Sequence, residues 1–342
     1  MIPQSEFRIP KYEEMIRFAR VALGLPESVT IQLRPLEGRG SDRTFFRVKW
    51  NGGNSAILVH YDPKRLENTY YADIAMFLRD IQVPVPGLIL HDPTDSLIIM
   101  EDLGDEDLWS FNETPWETRR ILYLKTLAII RRLHSFPEDD FPSIRVRLME
   151  GFGSDLYRWE RNYFKDHFVR DICRIELDHS FERKLEVELS SLADRLAATI
   201  RCLVHRDLQS RNVMVRSGEP FLIDFQGMRF GNLFYDLGSL LYDPYVNLTA
   251  SQQEELLSFY YSLSKWNLDR NVFENNFREA SAQRLMQALG AYGFLGLRKG
   301  LKTFLNHVPA GLRHLLDTTS RVASLPLLHE LCLECKKAMQ LF

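Results

Sequence analysis

The first hundred residues alternate between short apolar segments and turns, a pattern typical of β-strands. An amphipathic segment with apolar residues at helical spacing from Tyr12 to Leu23 opens the chain. Strands are predicted over residues 29–36, 43–50, 55–61, 88–91 and 97–101. The turn residues 51–54 predict a hairpin between the second and third strands, and a helix is predicted over 68–79.

Beyond Gly104 the apolar positions recur with the helical period instead. Helices are predicted over residues 116–135, 154–168, 181–199, 252–265, 273–297 and 325–339. A short β-rich segment, 212–225, lies among them. The pattern therefore predicts an α+β fold with two lobes, a small β-rich one followed by a larger helical one.

Composition and charge narrow the class of protein. The chain has 342 residues, 45% of them hydrophobic, and a formal net charge of −3. This charge gives no reason to expect nucleic acid or an anionic membrane as a partner. No apolar run approaches the length of a membrane span, and the first residues lack the basic and apolar regions of a secretion signal. We therefore expect a cytoplasmic protein.

The strongest chemical signal lies in the β-rich segment of the second lobe. The sequence His205-Arg206-Asp207 is followed by Asn212, and Asp224 stands at the end of the next apolar segment. Phosphoryl transfer needs one carboxylate beside the acceptor hydroxyl, and a second carboxylate with an amide oxygen to hold Mg²⁺. The alternative is an ordinary β-hairpin with polar turns, but the spacing and flanking strands favour phosphoryl transfer.

These motifs resemble a known family. Residues 205–212, Ile223-Asp224-Phe225-Gln226 and the runs 235–243, 283–290 and 38–48 are similar to the aminoglycoside phosphotransferase and choline kinase branch of the protein-kinase-like fold. More narrowly, they resemble bacterial kinases that phosphorylate N-acetylmuramate and N-acetylglucosamine at the anomeric carbon. The resemblance implies ATP and Mg²⁺ as cofactors. It also implies a nucleotide-binding lobe over residues 1–102 and a helical lobe with the catalytic loop and acceptor site over 103–342.

Carried over to this chain, the resemblance implies roles for individual residues. Asp207 would be the catalytic base, and Asn212 and Asp224 would be the Mg²⁺ ligands. Glu101 and Leu103 would belong to the hinge that binds adenine, although a polar turn between the lobes is an alternative. The loop over the phosphates would consist of Gly38, Gly40, Ser41, Asp42 and Arg43, although glycines at these positions also suit a plain hairpin.

One element of the family pattern is missing. Kinases of this fold normally carry a lysine on the third strand that contacts the phosphates. Here His60 stands nearest to that position. The predicted third strand, 55–61, contains no lysine, and the next lysine along the chain is Lys64, past Pro63. Arg43 or Arg39 could supply the positive charge instead. A non-catalytic nucleotide-binding scaffold is the alternative of another class, but the predicted base and metal ligands are all present.

The charge of the predicted acceptor half bears on the substrate. Residues 231–342 contain 11 Lys and Arg against 10 Asp and Glu. This balance provides no attraction for a polycationic aminoglycoside, and the cation choline would require an aromatic cage. We therefore expect a neutral or anionic amino sugar, phosphorylated at its anomeric hydroxyl, with an aminoglycoside or choline as the alternative acceptor.

Overall fold

A five-stranded antiparallel sheet forms the smaller lobe of the computed structural model, which describes residues 11–36, 43–263 and 268–339. The strands lie in the order β1-β2-β3-β5-β4. They are β1 (Gln32–Leu36), β2 (Thr44–Trp50), β3 (Asn54–His60), β4 (Leu88–Asp92) and β5 (Leu97–Glu101). All five predicted strands are present, which confirms the β-rich character of this lobe.

The two faces of the sheet pack against different elements. Helix α1 (Tyr12–Ala22) covers one face, where its residues Met15 and Ala19 contact strand residues that include Leu58 and Ile99. The opposite face belongs to the main hydrophobic core, which continues into the larger lobe. Because successive side chains of a strand point to opposite faces, the residues next to Leu58 face the cleft between the lobes.

Two helices connect the third and fourth strands. The predicted helix 68–79 is divided into α2 (Leu66–Thr69) and α3 (Tyr71–Asp80), with a break at Tyr70. Tyr71 stacks on Phe225 of the larger lobe, with ring centroids 4.7 Å apart. Helix α3 is thereby joined by a buried aromatic contact to the segment that carries Asp224.

The larger lobe is helical, as predicted. Its helices are α4 (Trp116–His134), α5 (Ser154–Phe164), α6 (His179–Ala197), α7 (Leu233–Leu241), α8 (Ala250–Leu263), α9 (Arg270–Gly293), α10 (Val308–Ser320) and α11 (Pro326–Met339). The sequence pattern did not predict α7 and α10. All residues of helix α7 are buried. No helix among the described residues has the length and apolar character needed to span a membrane.

Helices α5 and α9 end earlier than predicted, and each continues into a π-helical turn, Lys165–Arg170 and Phe294–Arg298. The two turns meet where Gly293 lies against the backbone of His167. A β-carbon on Gly293 would lie 2.0 Å from the carbonyl oxygen of His167. The absence of a side chain therefore allows this close approach of the two helices.

Two short antiparallel strand pairs carry the catalytic segment. One joins β6 (Arg201–Val204) to β9 (Arg229–Asn232), and the other joins β7 (Val213–Arg216) to β8 (Glu219–Leu222). Short 3-10 helices complete the fold at Asn51–Gly53, Leu108–Phe111, Glu138–Asp140, Ser210–Asn212, Phe225–Gly227 and Lys302–His307.

Candidate active site

The loop that follows β6 is held at its start by Asp236 of α7. The carboxylate of Asp236 is fully buried and accepts hydrogen bonds from the backbone N–H groups of His205, at 2.7 Å, and Arg206, at 2.8 Å. His134 lies 3.1 Å from the same carboxylate. Arg206 has a φ of +79°, which is unfavourable for a residue with a side chain. The two hydrogen bonds from Asp236 hold the backbone in this conformation.

A second buried carboxylate holds the far end of the loop. Asp243 accepts hydrogen bonds from the backbone N–H of Ser210, at 2.7 Å, and from its hydroxyl, at 2.6 Å. Burial raises the pKa of Asp243, and these hydrogen bonds oppose the shift. Helix α7, which carries Asp236, ends at Leu241. Asp243 reaches the loop from the turn after the helix.

Three hydrogen bonds connect the predicted base with the two predicted metal ligands. The side-chain amide of Asn212 donates to the carbonyl oxygen of Asp207 at 2.8 Å. The backbone N–H of Ile223 donates to the carbonyl oxygen of Asn212 at 3.0 Å. His205 Nε2 lies 3.0 Å from the carbonyl oxygen of Ile223, so this nitrogen carries the proton. The loop and the segment before Asp224 are therefore one connected unit.

The carboxylate of Asp207 lies between two guanidinium groups. Nη1 of Arg206 is 3.3 Å from Oδ2 of Asp207, and Nη2 of Arg284 is 3.7 Å from Oδ1. The charge of Asp207 raises the pKa of Arg206. The side chain of Asp207 is 29% exposed, whereas that of Arg284 is 5% exposed. The carboxylate is therefore accessible from the cleft and has a positive charge on each side.

Sequence reasoning gave Arg284 no role, although the run 283–290 was part of the family resemblance. Arg284 lies far along the chain from Asp207, on α9, and no local spacing connects the two residues. The available signal was an arginine in a stretch of mostly small and apolar residues, 280–290. An arginine there is costly to bury without a partner.

Asp224 has an arginine from the other lobe as its partner. Arg43, which precedes β2, forms an ion pair with Asp224 and donates to Oε1 of Gln226 at 2.9 Å. Gln226 also donates to Asp224, at 3.1 Å. Burial alone would raise the pKa of Asp224, but the charge of Arg43 and these hydrogen bonds outweigh burial and lower it. Asp224 is therefore maintained as an anion.

The oxygens of Asp224 and Asn212 fit a magnesium ion. The amide nitrogen of Asn212 is engaged by Asp207, which leaves Oδ1 as the atom available to a metal. Within the described ranges, Oδ2 of Asp224 has no hydrogen-bond partner. No group of three His, Cys, Asp or Glu residues suited to a metal occurs in the described part of the chain. Mg²⁺ typically takes only one or two protein carboxylates and completes its shell with water and phosphate oxygens, so this ligand set is sufficient.

His60 does not lie beside these groups. It pairs with Leu97 across the sheet, and Leu97 belongs to the face that packs on α1. Its neighbours Val59 and Tyr61 line a small cavity on the opposite face, together with Arg43. His60 is buried, and burial lowers its pKa. The strand that normally carries the phosphate-binding lysine therefore presents Val59 and Tyr61 to the cleft.

The predicted hinge follows β5. The carboxylate of Glu101 accepts a hydrogen bond from the backbone N–H of Gly87 at 3.0 Å and pairs with Arg216 at 2.5 Å. Asp102 is held by Arg47, with Nε and Oδ2 2.7 Å apart. The backbone of Leu103 makes no hydrogen bond to another described residue. Its polar groups are therefore available at the point where the chain passes between the lobes.

The remaining predicted phosphate-binding residues, Gly38, Gly40, Ser41 and Asp42, lie outside the described residues. Arg43 is the described member of that loop.

Comparisons with known proteins agree with this architecture. The Neisseria meningitidis serogroup B protein named N-acetylmuramate/N-acetylglucosamine kinase is 24% identical over 305 residues, which cover 85% of this chain and 87% of that protein. A choline/ethanolamine kinase family protein from Mesorhizobium loti superposes with a TM-score of 0.61 at 16% identity, covering 95% of this chain and 99% of the other. The aminoglycoside phosphotransferase APH(2'')-Ib, bound to ADP, gives 0.58 at 15% identity, covering 90% and 99%.

The solved structures establish the protein-kinase-like fold, and a match to a family profile establishes the family to which the chain belongs. The profile of the phosphotransferase enzyme family, APH, matches residues 32–270, which include both lobes of the cleft and the segments with Asp207 and Asp224. The chain therefore belongs to the APH family and is a small-molecule phosphotransferase.

Proposed function

We propose that this protein is an ATP-dependent kinase that phosphorylates the anomeric hydroxyl of a neutral or acidic amino sugar. The observation that carries the proposal is the position of Asp207, which is accessible from the cleft, tied to Asn212 and flanked by two guanidinium groups. The kinase named for N-acetylmuramate and N-acetylglucosamine, similar over 85% of the chain, supports a sugar as acceptor. Because the donor is ATP, we propose the cytoplasm as its location.

In the proposed reaction, bound Mg-ATP supplies the phosphoryl group, and the metal ion neutralises part of its charge. Asn212 and Asp224 would hold the ion through their side-chain oxygens. Asp207 would orient the acceptor hydroxyl and accept its proton. An anomeric hydroxyl is more acidic than an ordinary alcohol, so it demands less of a base whose charge is already compensated by arginines.

Nucleotide binding would involve both lobes. We propose that Arg43, rather than His60, supplies the positive charge that the missing lysine would provide, because Arg43 reaches Asp224 and His60 faces α1. Gly38, Gly40, Ser41 and Asp42 would form the remainder of the phosphate loop. The backbone of Glu101 and Leu103 would bind the edge of adenine, and the boundary between residues 102 and 103 would separate the two lobes.

The charge around Asp207 argues against a cationic acceptor. An aminoglycoside or choline would bring an ammonium group close to Arg206 and Arg284, both within 4 Å of the Asp207 carboxylate. Like charges at this range repel each other strongly in a partly desolvated site. A neutral or anionic sugar avoids this repulsion.

An acceptor panel tests the proposal. Purified protein would be mixed with Mg-ATP and N-acetylglucosamine, N-acetylmuramate, choline or kanamycin. ADP release and phosphorus NMR would then identify the product. We expect a sugar 1-phosphate from one or both acetylated amino sugars. Asp207→Asn should lose turnover by about a thousandfold or more while still binding ATP.

Asp317→Asn is the matched control, because Asp317 forms an exposed pair with Arg321 and should not affect turnover. Phosphorylation of choline or kanamycin in place of the sugars would refute the choice of acceptor. Binding of ATP without turnover on any acceptor, by either protein, would favour a nucleotide-binding scaffold.

A further inference from the structure

We infer that Arg284 contacts the acceptor at its reacting carbon and thereby selects which sugars are phosphorylated. Among the described residues, Arg206 and Arg284 lie within 4 Å of the Asp207 carboxylate, and Arg284 is the one that comes from the helices after the catalytic segment. This inference rests on the proposed sugar kinase activity and assigns a specificity-determining residue to it.

Close packing of two helices brings Arg284 to the site. Gly238 of α7 lies against Ser281 of α9, and a β-carbon on Gly238 would be 2.9 Å from the Cα of Ser281. Immediately beside this contact, Nε of Arg284 donates to Oγ of Ser239 at 2.7 Å. Ser239 Oγ also lies 3.4 Å from the carbonyl oxygen of Arg206. Arg284 is therefore attached to the catalytic loop through α7.

The hydrogen bonds of the guanidinium group leave one nitrogen available. Nε is used by Ser239, and Nη1 donates to Oε1 of Gln287 at 2.6 Å. Nη2 makes no hydrogen bond with the residues that the structure describes, and the nearest carboxylate oxygen is Oδ1 of Asp207 at 3.7 Å. A buried guanidinium gains most from a complete set of acceptors. An oxygen of the substrate would complete the set here.

The gap between Nη2 and Asp207 suits one oxygen in contact with both groups. An oxygen about 2.8 Å from each would accept from Arg284 and donate to Asp207, at ordinary hydrogen-bond lengths. An anomeric carbon carries two oxygens, the hydroxyl and the ring oxygen. The hydroxyl can donate to Asp207 while either oxygen accepts from Nη2. An ordinary alcohol offers only one oxygen to this pair.

A consequence for specificity follows from the position of the amino group. In an amino sugar the nitrogen is attached to the carbon next to the anomeric carbon, so it would lie close to Arg284. An acetylated nitrogen is neutral, whereas a free amine is protonated at neutral pH and would be repelled by the guanidinium. Arg284 should therefore favour N-acetylglucosamine over glucosamine, which differ only in this group.

The test compares the kcat/KM ratio for these two acceptors in the wild type, Arg284→Gln and Arg284→Lys. The ratio is independent of the fraction of folded enzyme, so it remains informative if a variant is less stable. Arg278→Gln is the control, because Arg278 lies on the same helix and pairs with Glu274 of that helix instead of with Asp207. Binding of ATP by each variant would be measured separately.

We expect Arg284→Gln to lose about tenfold or more in kcat/KM for N-acetylglucosamine, because the variant loses one charge-assisted hydrogen bond to the acceptor. The preference of this variant for N-acetylglucosamine over glucosamine should fall by a similar factor. Arg284→Lys should retain the preference but lose turnover, because it keeps the charge without the planar fork. Arg278→Gln should match the wild type. An unchanged preference in Arg284→Gln would overturn the inference, whereas a wild type that phosphorylates neither sugar would instead refute the proposed function.

Discussion

Arg43 and Asp224 form an ion pair that joins the two lobes across the cleft. The pair connects the end of the predicted phosphate loop to a proposed metal ligand. A cation from the protein thus occupies the carboxylate that Mg²⁺ would also use. Binding of Mg-ATP would replace this contact, with Arg43 moving its hydrogen bonds from Asp224 to the phosphates.

This competition predicts opposite effects of one substitution on two ligands. Arg43→Gln should bind free Mg²⁺ several-fold more tightly, because the competing cation is gone, and should bind Mg-ATP about tenfold more weakly. The thermal unfolding midpoint, titrated with MgCl₂ alone and then with Mg-ATP, measures both effects. Arg17→Gln, an exposed position on α1, is the control. Equal weakening of both ligands by Arg43→Gln would contradict the competition.

Asp236 is predicted to be essential to the shape of the catalytic loop. Replacing it with Asn puts an N–H donor where a carboxylate oxygen now accepts from His205 or Arg206. We expect Asp236→Asn to lower the free energy of unfolding by about 2–4 kcal/mol, as for a buried polar network that loses a partner. Urea denaturation would measure this change. If Asp236→Asn and the surface variant Asp317→Asn proved equally stable, the buttressing role would be excluded.

The contact between α9 and the π-helical turn after α5 predicts a large effect of a single methyl group. In Gly293→Ala the β-carbon would lie 2.0 Å from the carbonyl oxygen of His167, so the two helices must separate. We expect a loss of about 3 kcal/mol or more in the free energy of unfolding. Gly153→Ala serves as a matched control, because Gly153 has no atom within 4 Å of its β-carbon position and an ordinary extended φ of −155°. Comparable stability of the two variants would show that the helices are not in this contact.

His314 predicts a pH dependence of stability. Burial, aided by the charge of Arg313, lowers the pKa of His314 to about 4. In the unfolded chain His314 binds a proton as the pH falls below about 6.5, whereas in the folded protein it stays neutral until the pH is near 4. The stability that depends on a neutral His314 is therefore fully present above pH 6.5 and is lost as the pH falls toward 4. The loss should reach at most about 3 kcal/mol. Urea denaturation between pH 4 and 7 should show a shallower decline for His314→Gln, and identical slopes would refute the assignment.

Local sequence patterns were sufficient for much of this molecule. The strands of the small lobe follow from short apolar segments separated by turn signals, and a hairpin turn separates β2 from β3 where predicted. The link between Asp207 and Asn212 could be predicted because both lie on one short loop. The position of Asp224 could be predicted as well, because Asn212 and Asp224 stand at the two ends of the β7–β8 hairpin. Such relationships depend on a few neighbouring residues and on standard turn geometry.

For His60, the local sequence pattern is insufficient to predict which face of the sheet the side chain lies on. Strand β3 is buried on both faces, so apolar residues occur at consecutive positions and the alternation that would assign faces is not visible. Only the packing of α1 on one face and of the main core on the other reveals that His60 points away from Asp224. The same packing leaves Arg43 as the cation that reaches the cleft.

The sequence alone thus defined the chemistry, because the residue types and spacing needed for phosphoryl transfer lie within one continuous segment. The tertiary structure decided which distant groups surround that segment. Arg43 and Arg284 reach it from elements far away in the chain. Contacts of this kind depend on how helices and strands pack, and no local period or motif encodes that packing.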